Sequence, residues 1–459
     1  MERPPVTPAA FSLDCFVQRN IGRLYTASRV FRFSAGEFQA TLIPHNNKLK
    51  EAALKTNRRK FIGGVSTAAV LSASGVAFAQ KKYSDGATDK EIKIGNTNPY
   101  SGPASSYGVI GKGIEAYWKS VNDRGGINGR MVKFVTLDDG YSPPKTVELV
   151  RQLVEQEKVL CMFQTLGTPT NTAIHKYMNQ KKVPQLYVAT GASKWGKPKE
   201  FPWTMGFQPD YHTEAVIYAK HILANHKDAK IAVLMQNDDY GKDYWEGFKE
   251  GLGKDVNKVV KHVSYETTDP TVDSQIIQLK DSGANVFFNI AIPKFAAQAI
   301  RKAADLGWKP VHYLNNVSSS VASTLKPAGL DNSQGIITAL YLMDPTDKQW
   351  DSNADMKTWS AWMDKWMPGA NKSDGSYVYA YAVSYLMEQT LKQCGDDLTR
   401  ENLMRQAANS KKLRVPLLLP GITINTSPTD FYPVQSVQLA NFKGETWNLF
   451  GNIMSAEST

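Results

Sequence analysis

Three cysteines in 459 residues are few. Cys15, Cys161 and Cys394 form no CxxC and no zinc-ligand spacing, which excludes a disulfide-dense scaffold and a zinc module. Cys161 sits in the apolar run Val159-Leu160-Cys161-Met162-Phe163 and reads as a buried thiol, with a Cys161–Cys394 disulfide left open. Histidine is also sparse. The seven (His45, His175, His212, His221, His226, His262 and His312) include no HExxH and no i, i+4 pair. A G-x-S-x-G elbow and a P-loop are missing too, and Gly111, Gly113 and Gly125-Gly126 do not make a dinucleotide fingerprint. Asp138-Asp139 and Asp238-Asp239 are the available acid/base pairs, but each stands at a strand end or helix start, where capping accounts for it. The chain therefore reads as no enzyme, with no cofactor and no metal site.

Charge is lacking where a polyanion binder would need it. The formal net charge is +11, yet residues 1–79 hold 11 Lys/Arg against 4 Asp/Glu, which leaves 43 basic and 39 acidic residues for the rest. Beyond residue 79 no dense Lys/Arg stripe interleaves with aromatics, so nucleic acid is not the expected partner. No later apolar run reaches the roughly 20 residues of a spanning helix, so the mature part is expected to be soluble.

What is present is ordinary globular material, 42% hydrophobic, 21% charged and 10% aromatic, long enough for two or three domains. Residues 1–55 are basic and without periodicity, and read as a disordered or mis-started extension. Residues 56–79 carry Arg58-Arg59-Lys60-Phe61-Ile62, a weakly apolar Ala/Gly/Ser run and Ala77-Phe78-Ala79. That order is a charged region, an apolar region and an A-x-A site, which predicts a twin-arginine-like export signal cleaved after Ala79 and a periplasmic product.

The stretch 91–134 organises the remainder. Ile92 and Ile94 alternate with Lys93 and Gly95 as in a strand; Asn98-Pro99-Tyr100-Ser101-Gly102-Pro103 is a turn-forming run. Val109/Ile110, Ile114, Tyr117/Trp118 and Val121 then follow helical spacing, stopped by Gly125-Gly126 before a second strand over 131–137. Such a strand–loop–helix–strand unit builds a parallel sheet with ligands at its carboxyl edge, where the Ser101 hydroxyl and the helix's free N–H groups suit an anion. Two further strand exits, 164–172 and 190–195, are equally rich in Ser, Thr and Gly, and three such exits at one edge predict a binding site. Residues 201–209 lack periodicity and read as a crossing into a second αβ series, and residues 331–344 read as a second crossing. Two series joined by several crossings suggest two lobes about a hinged cleft.

The segment KIGNTNPYSGPASSYGVIGKGIEAYWKSVNDRGGINGR resembles the amino-terminal signature of the leucine/isoleucine/valine-binding proteins, and the likeness continues more loosely to about residue 455. These are type I periplasmic solute receptors of ABC importers. The resemblance implies an α/β fold of two Rossmann-like lobes with parallel sheets and a three-strand hinge, lobe 1 over 90–207 plus 341–424 and lobe 2 over 208–340 plus 425–455. It implies a monomer that hands its solute to an inner-membrane permease and its ATPase. The residues and the resemblance together give an expected site of Ser101, Tyr107, Thr168, Thr170, Ala192 (through its backbone), Ser193, Trp195, Tyr240, Asn289 and Asn316, with Thr168, Ala192, Ser193 and Tyr107 carried over from the family and Trp195 and Tyr240 as rings able to stack on a ligand. The family's amino-acid binders place a Glu in the loop matching Asn315-Asn316-Val317-Ser318-Ser319, where this chain has no carboxylate. That departure favours a carboxylate, amide or aromatic acid over a simple branched-chain amino acid. A sensing module of the same fold is the alternative, and an exported hydrolase ranks last.

Overall fold

The computed structural model describes residues 81–455. The extension over 1–55 and the export signal over 56–79 lie outside the described residues. The first sheet is built from β1 (Glu91–Asn98), β2 (Met131–Asp138), β3 (Cys161–Phe163), β4 (Gln185–Val188) and β5 (Thr204–Gly206). All pairs are parallel, in the order β2-β1-β3-β4-β5. The chain leaves β1 and β3 in opposite directions along the sheet, so a crevice opens between their carboxyl ends. Helix α1 (Gly108–Asp123) follows β1, α2 (Pro143–Arg151) follows β2, and α3 (Thr168–Lys181) follows β3.

After α4 (Tyr211–Asn225) the second sheet repeats the plan: β6 (Ile231–Gln236), α5 (Asp239–Leu252), β7 (Val259–Tyr265), α6 (Asp273–Asp281), β8 (Val286–Ile290), α7 (Pro293–Asp305), β9 (Val311–Leu314) and β10 (Ile337–Leu340). Its parallel part runs β7-β6-β8-β9-β10, the same order as the first sheet. Strands β11 (Ser436–Lys443) and β12 (Thr446–Ser455) extend this sheet antiparallel from β10. Their connection is a tight hairpin at Glu445, so no crossover helix is needed.

Between β10 and β11 the chain contributes α8 (Ala354–Trp366), α9 (Gly375–Cys394) and α10 (Arg400–Ala407). Helix α9 packs on α1 of the first lobe. The approach is close at Gly113, where an added Cβ would stand 2.8 Å from the Ala380 methyl. Tyr187 of β4 meets Thr390 of α9 by a hydroxyl–hydroxyl bond of 2.8 Å.

Two short strands were not legible. The aperiodic 201–209 contains β5, and the supposed crossing 331–344 contains β10. Residues 423–426 contribute only an isolated bridge, Leu413–Ile424. Cys161 and Cys394 are both buried free thiols. Among the described residues no helix is long and apolar enough to cross a membrane, and no group of three or more His, Cys, Asp or Glu could hold a metal.

Candidate functional site: a tyrosine-walled cavity between the lobes

Both sheets turn their carboxyl edges to one place. From the first lobe come Tyr107 and Ile110 after β1, Tyr141 after β2, and Leu166, Gly167 and Thr168 after β3. The second lobe supplies Tyr240 after β6, Ile292 after β8, Asn316 and Val317 after β9, and the run from Leu340 to Asp344 after β10. Together they enclose a cavity of about 120 Å³. A cavity of ~150 Å³ is known to hold benzene, so a single ring or a branched aliphatic chain is the right scale.

Six tyrosines stand in the wall: Tyr107, Tyr141, Tyr211, Tyr240, Tyr341 and Tyr379. Among the described residues lining the cavity there is no Lys, Arg or His, and Asp344 is the one carboxylate. The rings are braced from behind. Phe207 is buried edge-on against Tyr379 at 5.4 Å and Tyr341 at 6.4 Å, and Tyr244 stacks on Tyr211 at 4.5 Å. Most hydroxyls are placed by partners: Tyr107 donates to the Val317 carbonyl at 2.8 Å, across the cleft, and Tyr240 to Asn315 Oδ1 at 3.1 Å.

The β3 exit owes its shape to Gly167. Its φ is +99°, and a Cβ there would lie 2.4 Å from the Tyr141 ring. Only glycine lets the chain turn beneath that tyrosine and start α3, whose first residue Thr168 faces the cavity. The Thr168 hydroxyl shares a 2.6 Å hydrogen bond with that of Thr190. The first turn of α3 therefore brings the Thr168 hydroxyl, held from behind by Thr190, and the positive end of a helix to one wall.

Of the ten residues expected at the site, Tyr107, Thr168, Tyr240 and Asn316 line the cavity. The other six do not. Ser101 is exposed and gives its hydroxyl to Asp138 at 2.6 Å, so it faces an acid rather than an anion pocket. Thr170 bonds the carbonyls of Leu166 and Gly167 within its own helix start. Trp195 is 1% exposed and packs edge-on against His175 at 4.9 Å, a core position. Asn289 is fully buried in β8 beside His312. Ala192 and Ser193 lie further along the cleft, where the Ser193 N–H and hydroxyl reach Asp243 of α5 at 2.9 and 2.6 Å. Asp238 caps α5 by accepting from the N–H groups of Tyr240 and Gly241, which confirms the capping reading.

Two carboxylates were missed. The loop 315–319 has none of its own, but Glu214 of α4 reaches it from behind and accepts the Asn316 N–H at 2.7 Å. Tyr218 and Tyr244 also donate to Glu214, each at 2.8 Å. Burial pushes this acid up to about 7. Asp344 faces the cavity, and burial raises it to about 6, with Asp347 and Asp374 adding to the rise. The loop 315–319 thus lacks a carboxylate as read, while the cavity takes one from Asp344, 25 positions beyond that loop.

A family model described as periplasmic binding protein matches residues 91–446. The chain belongs to that family. It is 25% identical over 351 residues to the Leu/Ile/Val-binding protein homolog 1 of Brucella suis, covering 75% of this chain and 86% of the relative. Its fold is shared with a branched-chain amino acid ABC transporter protein of Thermus thermophilus with bound valine, at TM-score 0.72 and 15% identity, over 80% of this chain and 97% of that one. It is also shared with a solute-binding protein of an ABC transporter from R. palustris in complex with benzoate, at TM-score 0.67 and 21% identity, over 80% and 98%. Membership fixes the coarse role of this periplasmic binding protein, solute binding in a two-lobe type I fold.

Proposed function

We propose that this periplasmic binding protein is the extracytoplasmic receptor of an ABC importer for a small carboxylate-bearing solute with a branched aliphatic or single-ring body. The observation that carries it is the cavity of about 120 Å³ where the carboxyl edges of both sheets meet. The first turn of α3, with Thr168, supplies neutral donors for a carboxylate, and the tyrosine faces supply the apolar enclosure. The relatives' printed ligands, valine in one structure and benzoate in another, are both of this size and both carry a carboxylate. Lobe boundaries at 90–207 plus 341–424 and 208–340 plus 425–455, export by the 56–79 signal with cleavage after Ala79, and delivery as a monomer to a permease and its ATPase complete the proposal.

The test is calorimetric titration of the ligand-stripped protein from Gln80 onward with leucine, valine, benzoate and 4-hydroxybenzoate. One of these is expected to bind, and Thr168→Val is expected to weaken it roughly tenfold by removing a hydroxyl next to the carboxylate. Unchanged affinity in a folded Thr168→Val protein would move the carboxylate elsewhere.

A further inference from the structure

Asp344 and Tyr341 lie in the chain segment that leaves β10 and returns toward the first lobe. The segment is held straight by the Met343 N–H bonding the Leu417 carbonyl at 2.8 Å and the Leu419 N–H bonding the Tyr341 carbonyl at 2.9 Å. Both side chains line the cavity, and both are deeply buried, at 9% and 3% exposure. Asp344 is only half satisfied. Its Oδ1 accepts the Thr346 N–H at 2.8 Å and the Thr346 hydroxyl, whereas Oδ2 receives no hydrogen bond among the described residues. That oxygen lies on the side of Gly375, a lining residue, 3.8 Å from where a Cβ would stand. The Tyr341 hydroxyl likewise has no partner among the described residues. The neighbouring acid Asp374 accepts the Ser320 hydroxyl and the Ser376 N–H on its Oδ1, each at 3.0 Å, and is not among the residues lining the cavity.

An acid set this deep keeps little hydration at an oxygen that faces only the cavity, and no cationic side chain among the described lining residues offsets its charge. A solute whose only polar group is a carboxylate would leave that oxygen unmatched and bring a second negative charge into the same enclosure. We infer that Asp344 is a specificity-determining residue, demanding on the solute an ammonium or hydroxyl donor in addition to its carboxylate, with the Tyr341 hydroxyl as a second contact. The inference rests on the proposed carboxylate-bearing ligand class and narrows it to bifunctional solutes: amino acids or hydroxy acids rather than simple aliphatic or aromatic acids.

Two sets of three matched compounds test it by calorimetry: leucine, 4-methylpentanoate and 3-methylbutylamine, then 4-hydroxybenzoate, benzoate and phenol. In one set the bifunctional member is expected to bind on the order of 10- to 100-fold tighter than the acid lacking the donor. Asp344→Asn, which keeps the size and removes the charge, is expected to narrow that ratio to about threefold or less. Tyr341→Phe is expected to weaken the bifunctional member severalfold. Equal binding of the acid and its bifunctional partner would overturn the inference and leave the carboxylate reading standing, as would a ratio preserved in Asp344→Asn. Binding of the amine or phenol alone, lost in Asp344→Asn, would support Asp344 and overturn the carboxylate reading. Silence from all six would overturn both.

Discussion

Glu214 and Asp344 are both buried acids raised by loss of solvent, but their surroundings differ. Glu214 has a donor on every side, the Asn316 N–H and the hydroxyls of Tyr218 and Tyr244, and lies behind the binding loop. Asp344 has one oxygen held by Thr346 and the other turned to the cavity. A saturated buried polar network fixes structure, whereas a half-saturated one at a cavity wall leaves valence for a ligand. The first carboxylate is therefore a brace for the loop 315–319, and the second is part of the recognition surface.

The comparison breaks most visibly in stability. Glu214→Ala would strip the acceptor from three buried donors, and a loss of roughly 3–5 kcal/mol is expected in urea unfolding of the unliganded protein. Asp344→Ala leaves only the Thr346 donors beside a cavity that admits water, and about 1 kcal/mol is expected. Equal losses from the two substitutions would erase the distinction between brace and recognition residue.

A smaller effect sharpens the same contrast through pH. The ordinary values are 4.5 for Glu214 and 3.8 for Asp344, against about 7 and about 6 in the fold. A carboxyl raised on folding favours the native state when protonated, so its stabilisation is full below the unfolded value and is lost as pH rises through the folded one. The groups facing Glu214 are Asp210, Tyr218, Tyr244 and the Asn316 N–H; those facing Asp344 are Asp347, Asp374 and Thr346. None is cationic, so nothing there reverses the sign. Between pH 4.5 and 8 the wild type is expected to lose on the order of 2 kcal/mol relative to Glu214→Gln, measured as the difference between their pH-resolved urea midpoints. Parallel pH profiles would mean that Glu214 stays ionised throughout.

How far the sequence could be read follows from the length scale of each signal. The αβ alternation, the α1 face and the glycine-bearing exit of β3 are local patterns of 8–16 residues; they pointed to the sheet edge, and the family resemblance then singled out Tyr107 and Thr168 on it. Strands β5 and β10 span only three and four residues and are largely buried on both faces, so they show no alternation. The wall supplied by β10 and its exit, with Tyr341 and Asp344, therefore stayed invisible. So did Gln208, Tyr211 and Tyr379, which reach the cavity only through tertiary packing. Trp195 failed for the converse reason. An aromatic after a hydroxyl-rich exit has the same local sequence whether it points at a ligand or, as here, at His175 in the core.

The smallest effects should come from the acids at the cleft's mouth, which extend the contrast to closure. Ser193 belongs to the first lobe and Asp243 to the second, so their two hydrogen bonds exist only while the lobes meet. Such a contact adds to apparent affinity by favouring the closed state, without touching the solute. Ser193→Ala is expected to weaken binding by roughly three- to tenfold for every ligand alike, chiefly by faster release in stopped-flow displacement. The nearby Lys194–Asp239 pair also crosses the cleft, at 2.7 Å, but Asp239 is 49% exposed. Water and salt screen it, so Lys194→Ala should change affinity less than about twofold at physiological ionic strength. A Ser193→Ala protein that alters the ratio between leucine and benzoate, rather than scaling both, would place Ser193 against the solute after all and return the β4 exit to the binding site.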